Sequence, residues 1–308
     1  MTFENAVIIR DKTRLEQLIE RFNSRAQAKF YIESSGGNFE YYEREHATFY
    51  ESLKNVQGTI AKSFKVKVID RSFLSTYIFS EKDLIVVIGQ DGLVANTAKY
   101  VNELPILAIN PDPSQYDGIL LPFNSRTIER ALIEVLNCSY TSKRITMAEA
   151  IMNDGQRLLA FNDFYIGAAS HVSSRYEITF DGKTENQSSS GIIVSTGAGS
   201  TGWLSSIFNM AFNVGRQWNR DEKQHKVKLE WEDEKLVFVV REPFRSQITG
   251  TDIGFGTINK GKSLRLESKM PADGVIFSDG IEKDFLAFNS GSIVEIGIAK
   301  EKANLIFI

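Results

Sequence analysis

One cysteine in 308 residues excludes an internal disulfide, because Cys138 has no partner within the chain. That usage fits a reducing compartment. Of the three histidines, His171 and His225 stand beside no cysteine or acid pattern of a metal site, so both read as surface or loop residues. Charge of one sign is also lacking. With 36 basic and 39 acidic residues the net charge is −3, which leaves no electrostatic footprint for nucleic acid or an anionic membrane. No run approaches the roughly 18 apolar residues of a membrane span. The opening MTFENAVIIRDKTR has neither the apolar core of a secretory signal nor an Arg-rich, acid-poor transit composition. Fixed-period repeats, low-complexity tracts and long linkers are absent as well. These absences lead to the expectation of a soluble, cytoplasmic protein without nucleic-acid or membrane partners. At 308 residues it exceeds one typical core, so two domains are expected.

What is present divides by period. In the first half strands alternate with helices: AVIIR (6–10), then Thr13 and Glu16 at capping-box spacing before the face of Leu15, Leu18, Ile19 and Phe22. Phe39, Tyr42, His46, Phe49, Leu53 and Val56 mark a second helix, running to about 62. KVKVID (65–70), DLIVVIG (83–89) and PILAIN (105–110) read as strands, the last two buried on both faces. A helix-compatible segment starts at Leu93, and another near Asn124 or Ser125 carries Ile128, Leu132, Val135 and Leu136. This alternation predicts a parallel α/β sheet. Beyond about 140 the helical period gives way to short strands, with an Asp181-Gly182 hairpin signal and a strand pair around the charged turn of WEDEKLVF (231–238). Only 203–218 reads as a helix there. The expected organisation is α/β plus β: a parallel α/β domain over 1–140, a boundary near 137–145, and a β-rich domain of stacked sheets over 141–308.

Three loops carry candidate chemistry. Gly89, Gln90, Asp91 and Gly92 end a buried strand and open a helix, where ligands bind in open α/β sheets and anions are favoured. The same residues also suit a tight turn with Asp91 as a cap. Asn162-Asp163, amid LLAFNDFYIG, is either a turn or a device that reads hydroxyls, since Asp accepts and Asn both donates and accepts. In GIIVSTGAGSTGWLSS (191–206) a buried strand runs into a loop of Thr196, Ser200 and Thr201 with Gly197, Gly199 and Gly202, then Trp203. Taken singly, each loop leaves the choice open. FSDGIEK (277–283) reads as a hairpin turn; Arg241 and Arg245 could neutralise a phosphate, but a solvated strand end is the expected reading.

In order, GQDG, ND and TGAGSTGW across an α/β half and a β half, the chain resembles the NAD kinase family, whose pattern is GGDG, NE or ND, and TPTGSTAY. Gly89, Asp91 and Gly92 match the first motif, Asn162 and Asp163 the second, and Thr196, Gly199, Ser200 and Thr201 the third, with Trp203 at its aromatic position. With the N-terminal half the resemblance covers most of the chain. INPDPSQYDGILLPF (109–123) and HVSSRYEITFDG look more like the mitochondrial-type branch. The resemblance implies a Rossmann-like α/β domain followed by a β-sandwich, and transfer of a phosphoryl group from ATP to the adenosine-ribose 2′-hydroxyl of NAD or NADH. It implies Asp91 at that hydroxyl as base or orienter, and Gly89 and Gly92 meeting phosphates. Asn162 and Asp163 would hold the adenosine, while Thr196, Gly199, Ser200, Thr201 and Trp203 form a nucleotide wall between the domains. Mg²⁺ would bridge the ATP phosphates, and a homodimer or homotetramer is implied. A DG turn like that at 279–280 also occurs in the family.

The departures from the pattern are specific. Gln90 replaces a glycine, so its side chain either crowds a phosphate or donates an amide to it. Leu93 stands where the family has Thr or Ser, Gly197 and Ala198 replace Pro and Thr, and the GRLGF stretch is absent. Two alternatives follow: a catalytically weak dinucleotide-binding sensor, or another small-molecule kinase of the wider superfamily, where GGDG-type loops serve lipid kinases.

Overall fold

Residues 3–217 and 228–307 are described by a computed structural model of the chain. They divide into two units, 1–143 with 304–308, and 144–303. No helix among the described residues is long and apolar enough to cross a membrane.

The first unit is built on buried strands with helices between them. The chain runs β1 (Asn5–Arg10), α1 (Arg14–Phe22), α2 (Arg25–Ser34), α3 (Phe39–Ile60), β2 (Lys65–Asp70), β3 (Asp83–Ile88), α4 (Asp91–Ala98), β4 (Pro105–Asn110), β5 (Phe123–Asn124) and α5 (Ile128–Leu136). The capping box closes as expected: the Thr13 hydroxyl accepts from Glu16 N, and Thr13 N donates to the Glu16 carboxylate at 2.8 Å. Phe49, Leu53, Val56 and Ile60 of α3 share one core with Ile128, Ala131, Leu132 and Val135 of α5 and with β1, β3 and β4. The parallel order is β2-β1-β3-β4, with β5 beside β4. From β1 the chain goes to one side for β2 and to the other for β3. The carboxyl ends of β1 and β3 are therefore the switch point at which such sheets bind ligands.

Two elements of this unit differ from the sequence expectation. α2 was not expected; it buries only Ala28, so its apolar stripe is too thin to read. α5 begins at Ile128 because the Asn124 carboxamide oxygen accepts from Arg126 N and Thr127 N, a local turn that competes with the helix. The last residues of the chain also lie in this unit: Asn304 and Leu305 pair in parallel with Pro105 and Ile106.

The second unit contains antiparallel strands in two sheets. After β6 (Thr141–Met152) and β7 (Arg157–Ala160) come β8 (Asp163–Ala168), β9 (Ser174–Phe180), β10 (Lys183–Ser189), β11 (Ile192–Ser195), α6 (Trp203–Gly215), β12 (Lys235–Val240), β13 (Phe255–Asn259), β14 (Leu264–Ser268), β15 (Gly274–Ser278), β16 (Ile281–Ala287) and β17 (Ile293–Phe307). One sheet has the order β13-β12-β11-β8-β15-β16, and β10-β9-β14-β17 run side by side in the other. Phe164, Ile166, Val194 and Phe238 of the first share a core with Tyr176, Ile178, Leu266 and Ile296 of the second. This is a β-sandwich. Asp181 and Gly182 take φ of 47° and 77°, the left-handed pair that a tight hairpin needs between β9 and β10. The strand pair expected around WEDEK is corrected to one strand, β12. Glu230 N donates to the Asp233 carboxylate at 3.1 Å, so this stretch is a turn leading into the strand. His225 and Trp218, the expected end of the α6 helix, lie outside the described residues.

Candidate nucleotide site

In the first unit the GQDG loop lies at the switch point. Gln90 is the N-cap of α4 but makes no side-chain capping bond; its carbonyl takes Leu93 N at 2.9 Å, and the Asp91 and Gly92 N–H groups are left for another acceptor. A cavity of about 270 Å³ opens there, lined by Asp11, Arg14, Arg71, Gln90, Gly92 and Tyr116 among others. Its cations are paired with acids: Arg71 with Asp11 at 2.9 Å and Arg14 with Glu45 at 2.5 Å. An anion entering here would compete for guanidinium groups already held in place. Burial pushes the Tyr116 phenol up, with the nearby Gln90 amide acting in the opposite sense.

The glycines of this loop have separate reasons. A Cβ on Gly89 would lie 2.9 Å from the Leu93 side chain. Leu93 is buried against the strand end, so its apolar side chain packs where a hydroxyl would have faced a ligand. Gly92 has open space where its Cβ would be, and its φ is not in the left-handed region. Nothing in the fold of the unit requires a glycine at 92.

Asp91 does not line the cavity. Its Oδ1 accepts from Leu120 N at 2.9 Å and its Oδ2 from Ile119 N at 3.2 Å, tying the loop after β4 to the start of α4. That loop turns at Gly118 (φ +63°), where a Cβ would lie 2.7 Å from Asn110 Nδ2. A carboxylate has about four lone-pair sites, so two are still open.

In the second unit the other two motifs interlock at one end of β8 and β11, where Asp163 lies opposite Ser195. Thr196 N donates to Asn162 O at 2.9 Å, and the Thr196 hydroxyl to Phe161 O at 2.6 Å. Ser200 donates to Gly197 O at 2.7 Å. Thr196 and Ser200 are buried and their hydroxyls serve the loop itself; Thr201 is exposed. Gly199 packs so tightly that a Cβ would overlap the Asn162 carbonyl oxygen. Trp203 stacks on Tyr165 at 6.0 Å and 8°, and the Arg241 guanidinium lies 5.6 Å from the Trp203 ring centre. With Phe277 these residues line a cavity of about 740 Å³, an aromatic-walled space suited to a planar ring.

Asp279, read from sequence as part of a hairpin turn, proves to be a partner of the ND motif. Its carboxylate accepts from Phe161 N (3.1 Å), Asn162 N (2.6 Å) and Asp163 N (3.3 Å). The turn is there, with φ of 55° at Asp279 and 70° at Gly280. The only sequence signal for its second role is the DG pair itself. Tyr165, two residues beyond Asp163 on the same strand face, was also missed, and Arg241 was expected at a solvated strand end, because their meeting with Trp203 needs three separate strands and loops.

Burial, with the Asp279 carboxylate adding to it, pushes the Asp163 carboxyl up to about 7. Between about pH 4 and 7 the folded protein therefore holds a proton that the unfolded chain releases. Stability falls as pH rises through that window, and the full penalty persists above it. Asp163→Asn removes the charge, so the variant should exceed the parent in stability by roughly 2–4 kcal/mol at pH 8 and match it near pH 4. Urea unfolding at both pH values checks this. A gap that did not depend on pH would contradict the assignment.

The fold these two units build is that of the NAD(H) kinases. Over 100% of its length the chain matches yeast NADH kinase solved with NADH, at a TM-score of 0.60 and 14% identity, covering 84% of that chain. An Archaeoglobus fulgidus NAD kinase solved with ATP matches over 97% of this chain and 92% of its own, at a TM-score of 0.56 and 16% identity. In sequence, the NAD kinase of Clostridium kluyveri is 30% identical over 162 residues, half of this chain and 54% of the relative. That of Cellvibrio japonicus is 31% identical over 129 residues, 39% of this chain and 42% of its own. The chain thus spans about half the length of the curated relatives it matches. No family model matches it. The chain thus shares the fold of the NAD(H) kinases, and half of it is similar in sequence to curated NAD kinases.

Proposed function

We propose that the chain is an NAD kinase that transfers the γ-phosphoryl group of ATP to the adenosine-ribose 2′-hydroxyl of NAD or NADH. The observation that carries the reading is the uncapped start of α4 at the switch point, with a glycine at 92 that sterics do not demand. A phosphate at this position would find N–H donors, the positive end of the helix and no side chain in its way. In the reaction the ribose 2′-oxygen forms a bond to the γ-phosphorus, and the bond from that phosphorus to the β–γ bridging oxygen breaks. ADP leaves, and the hydroxyl proton passes to the Asp91 carboxylate through a lone pair not used by Ile119 or Leu120. Asn162 and Asp163 read the adenosine hydroxyls and base, while Thr201 and Trp203 are the members of the third motif open to a ligand. Gly199, Thr196 and Ser200 act by holding that loop in shape.

Mg²⁺ belongs to the same reading. It takes oxygen ligands and is held mainly by substrate phosphates, whose charge it neutralises; the Asp11 and Asp112 carboxylates at the first-unit cavity are hard oxygen donors of the right kind. A homodimer or homotetramer also belongs to it, supported by the exposed Met210 and Val214 of α6 and the exposed Phe255 of β13, as does a cytoplasmic setting. A dinucleotide sensor is the second reading, favoured by the hold of Ile119 N and Leu120 N on Asp91. Purified protein should consume ATP only when NAD or NADH is present. Thermal stabilisation by NAD without ATP consumption would decide for the sensor.

Gln90 bears on the donor. Because its side chain lines the first-unit cavity beside Tyr116, it narrows the site rather than serving a phosphate. Gln90→Gly is expected to raise kcat/KM for bulkier nucleoside triphosphates relative to ATP by up to about tenfold, the scale of one pocket contact. A fall with every donor would show instead that the amide binds phosphate.

A further inference from the structure

We propose that Asp279 is a positioning residue of the NAD site, its carboxylate holding the backbone of 161–163 so that the Asn162 and Asp163 side chains face the nucleotide; the proposal rests on the NAD kinase reading above.

Phe161 and Asn162 lie between β7 and β8, where no strand ladder serves their N–H groups. Buried amides of that kind need partners. Asp279 supplies them all, taking three consecutive N–H groups on one carboxylate, a concave arrangement of the type that binds anions. The bond is reciprocal, because Asp279 N donates to Asp163 O at 2.9 Å. On the other side Thr196 occupies the carbonyls of Phe161 and Asn162. Every polar backbone group from Phe161 N to Asn162 O is thus accounted for within the second unit. The Asn162 amide and the Asp163 carboxyl have no hydrogen-bond partner among the described residues, so their capacity is left for something outside the protein. The left-handed φ of Asp279 and Gly280 makes the turn that delivers the carboxylate to this spot.

The arrangement also sets the charge of the site. Among the described residues Asp279 is the one charged group acting on Asp163. The neighbouring elements present Ser195 on β11 and Thr196 in the following loop, neither of them ionisable near neutral pH. If Asp163 contacts NAD, affinity for NAD changes across its titration, near pH 7. Removing the Asp279 charge takes away the second cause of the raised value and moves that midpoint down, while burial, the larger cause, stays.

The test measures NAD affinity by calorimetry from pH 5.5 to 8.5, together with kcat and KM, for the parent, Asp279→Asn and Asp279→Glu. Asp279→Asn is expected to raise Kd and KM for NAD about tenfold or more, to leave kcat within about threefold, and to lower the pH midpoint. Asp279→Glu keeps the charge but lengthens the arm, so it should lose affinity with the midpoint unmoved. A residue that merely stabilised the fold would lower the melting temperature without moving the midpoint. A folded Asp279→Asn with parental KM and midpoint overturns the proposal; should that variant not fold, a folded Asp279→Glu with parental affinity does so. A parent that binds no NAD overturns the NAD kinase reading itself and this proposal with it. A parent that binds NAD beside indifferent Asp279 variants overturns this proposal alone.

Discussion

Asp91→Asn should turn over at about one hundredth of the parental rate or less, the scale of losing a general base, while NAD affinity measured by calorimetry stays near parental. The substitution keeps the shape of the side chain but halves its accepting capacity. In the parent each carboxylate oxygen takes one backbone N–H, from Leu120 and Ile119. The asparagine offers one oxygen to the two of them and turns its NH₂ toward the other. Sequence reasoning alone expects an unchanged fold; the structure adds a stability loss of about 0.5–1.5 kcal/mol for the bond to the exposed Ile119 N–H that is lost. Rates taken well below the melting temperature separate the two effects. A folded variant turning over at the parental rate would sink the catalytic role of Asp91 and leave it as a tie between α4 and the loop after β4.

The second large effect is a contrast between two glycines. Gly92→Ala has open space for its methyl group and sits in the first turn of α4, so stability should hold or rise by up to about 1 kcal/mol. The same methyl group stands where a phosphate would approach the helix N-terminus, and kcat/KM for ATP should fall by about tenfold or more. Gly199→Ala should do the reverse. Its Cβ would overlap the Asn162 carbonyl oxygen and lie 2.6 Å from the carbonyl carbon, and neither atom can move without breaking the bond from Thr196 N. A loss of about 3 kcal/mol or more, read by denaturant unfolding, is the expected cost of forcing backbone apart there. Full activity in Gly92→Ala would remove the phosphate from the α4 terminus. Normal stability in Gly199→Ala would contradict the packing of the two motifs.

Arg241 and Asp279 mark where reading a single sequence stops. Both lie at strand ends or turns, and at such positions a solvated charge is the ordinary outcome. What distinguishes them is their neighbours: Trp203 for one, three backbone amides for the other. Thr196 and Ser200 show the converse. Hydroxyls in a glycine-rich loop suggest contacts to a ligand, yet here they satisfy carbonyls of the protein, because a loop this compact must pair its own polar groups first.

By itself the sequence determined the elements whose cause is local. The period-3.6 stripes of α1, α3 and α5, the unbroken apolar runs of β3 and β4, the Thr13–Glu16 cap and the Asp181-Gly182 turn each depend on residues within a few positions of one another. The order of the three motifs carried the resemblance to the NAD kinase family. Tertiary structure alone decided the rest. It brought residues 161–163, 195–200 and 279 to one end of a sheet, turned Asp91 toward the 118–120 loop, and returned residues 304 and 305 to the edge of β4. Those outcomes depend on partners dozens or hundreds of residues away, and no local propensity encodes which distant group will satisfy a given donor or carboxylate.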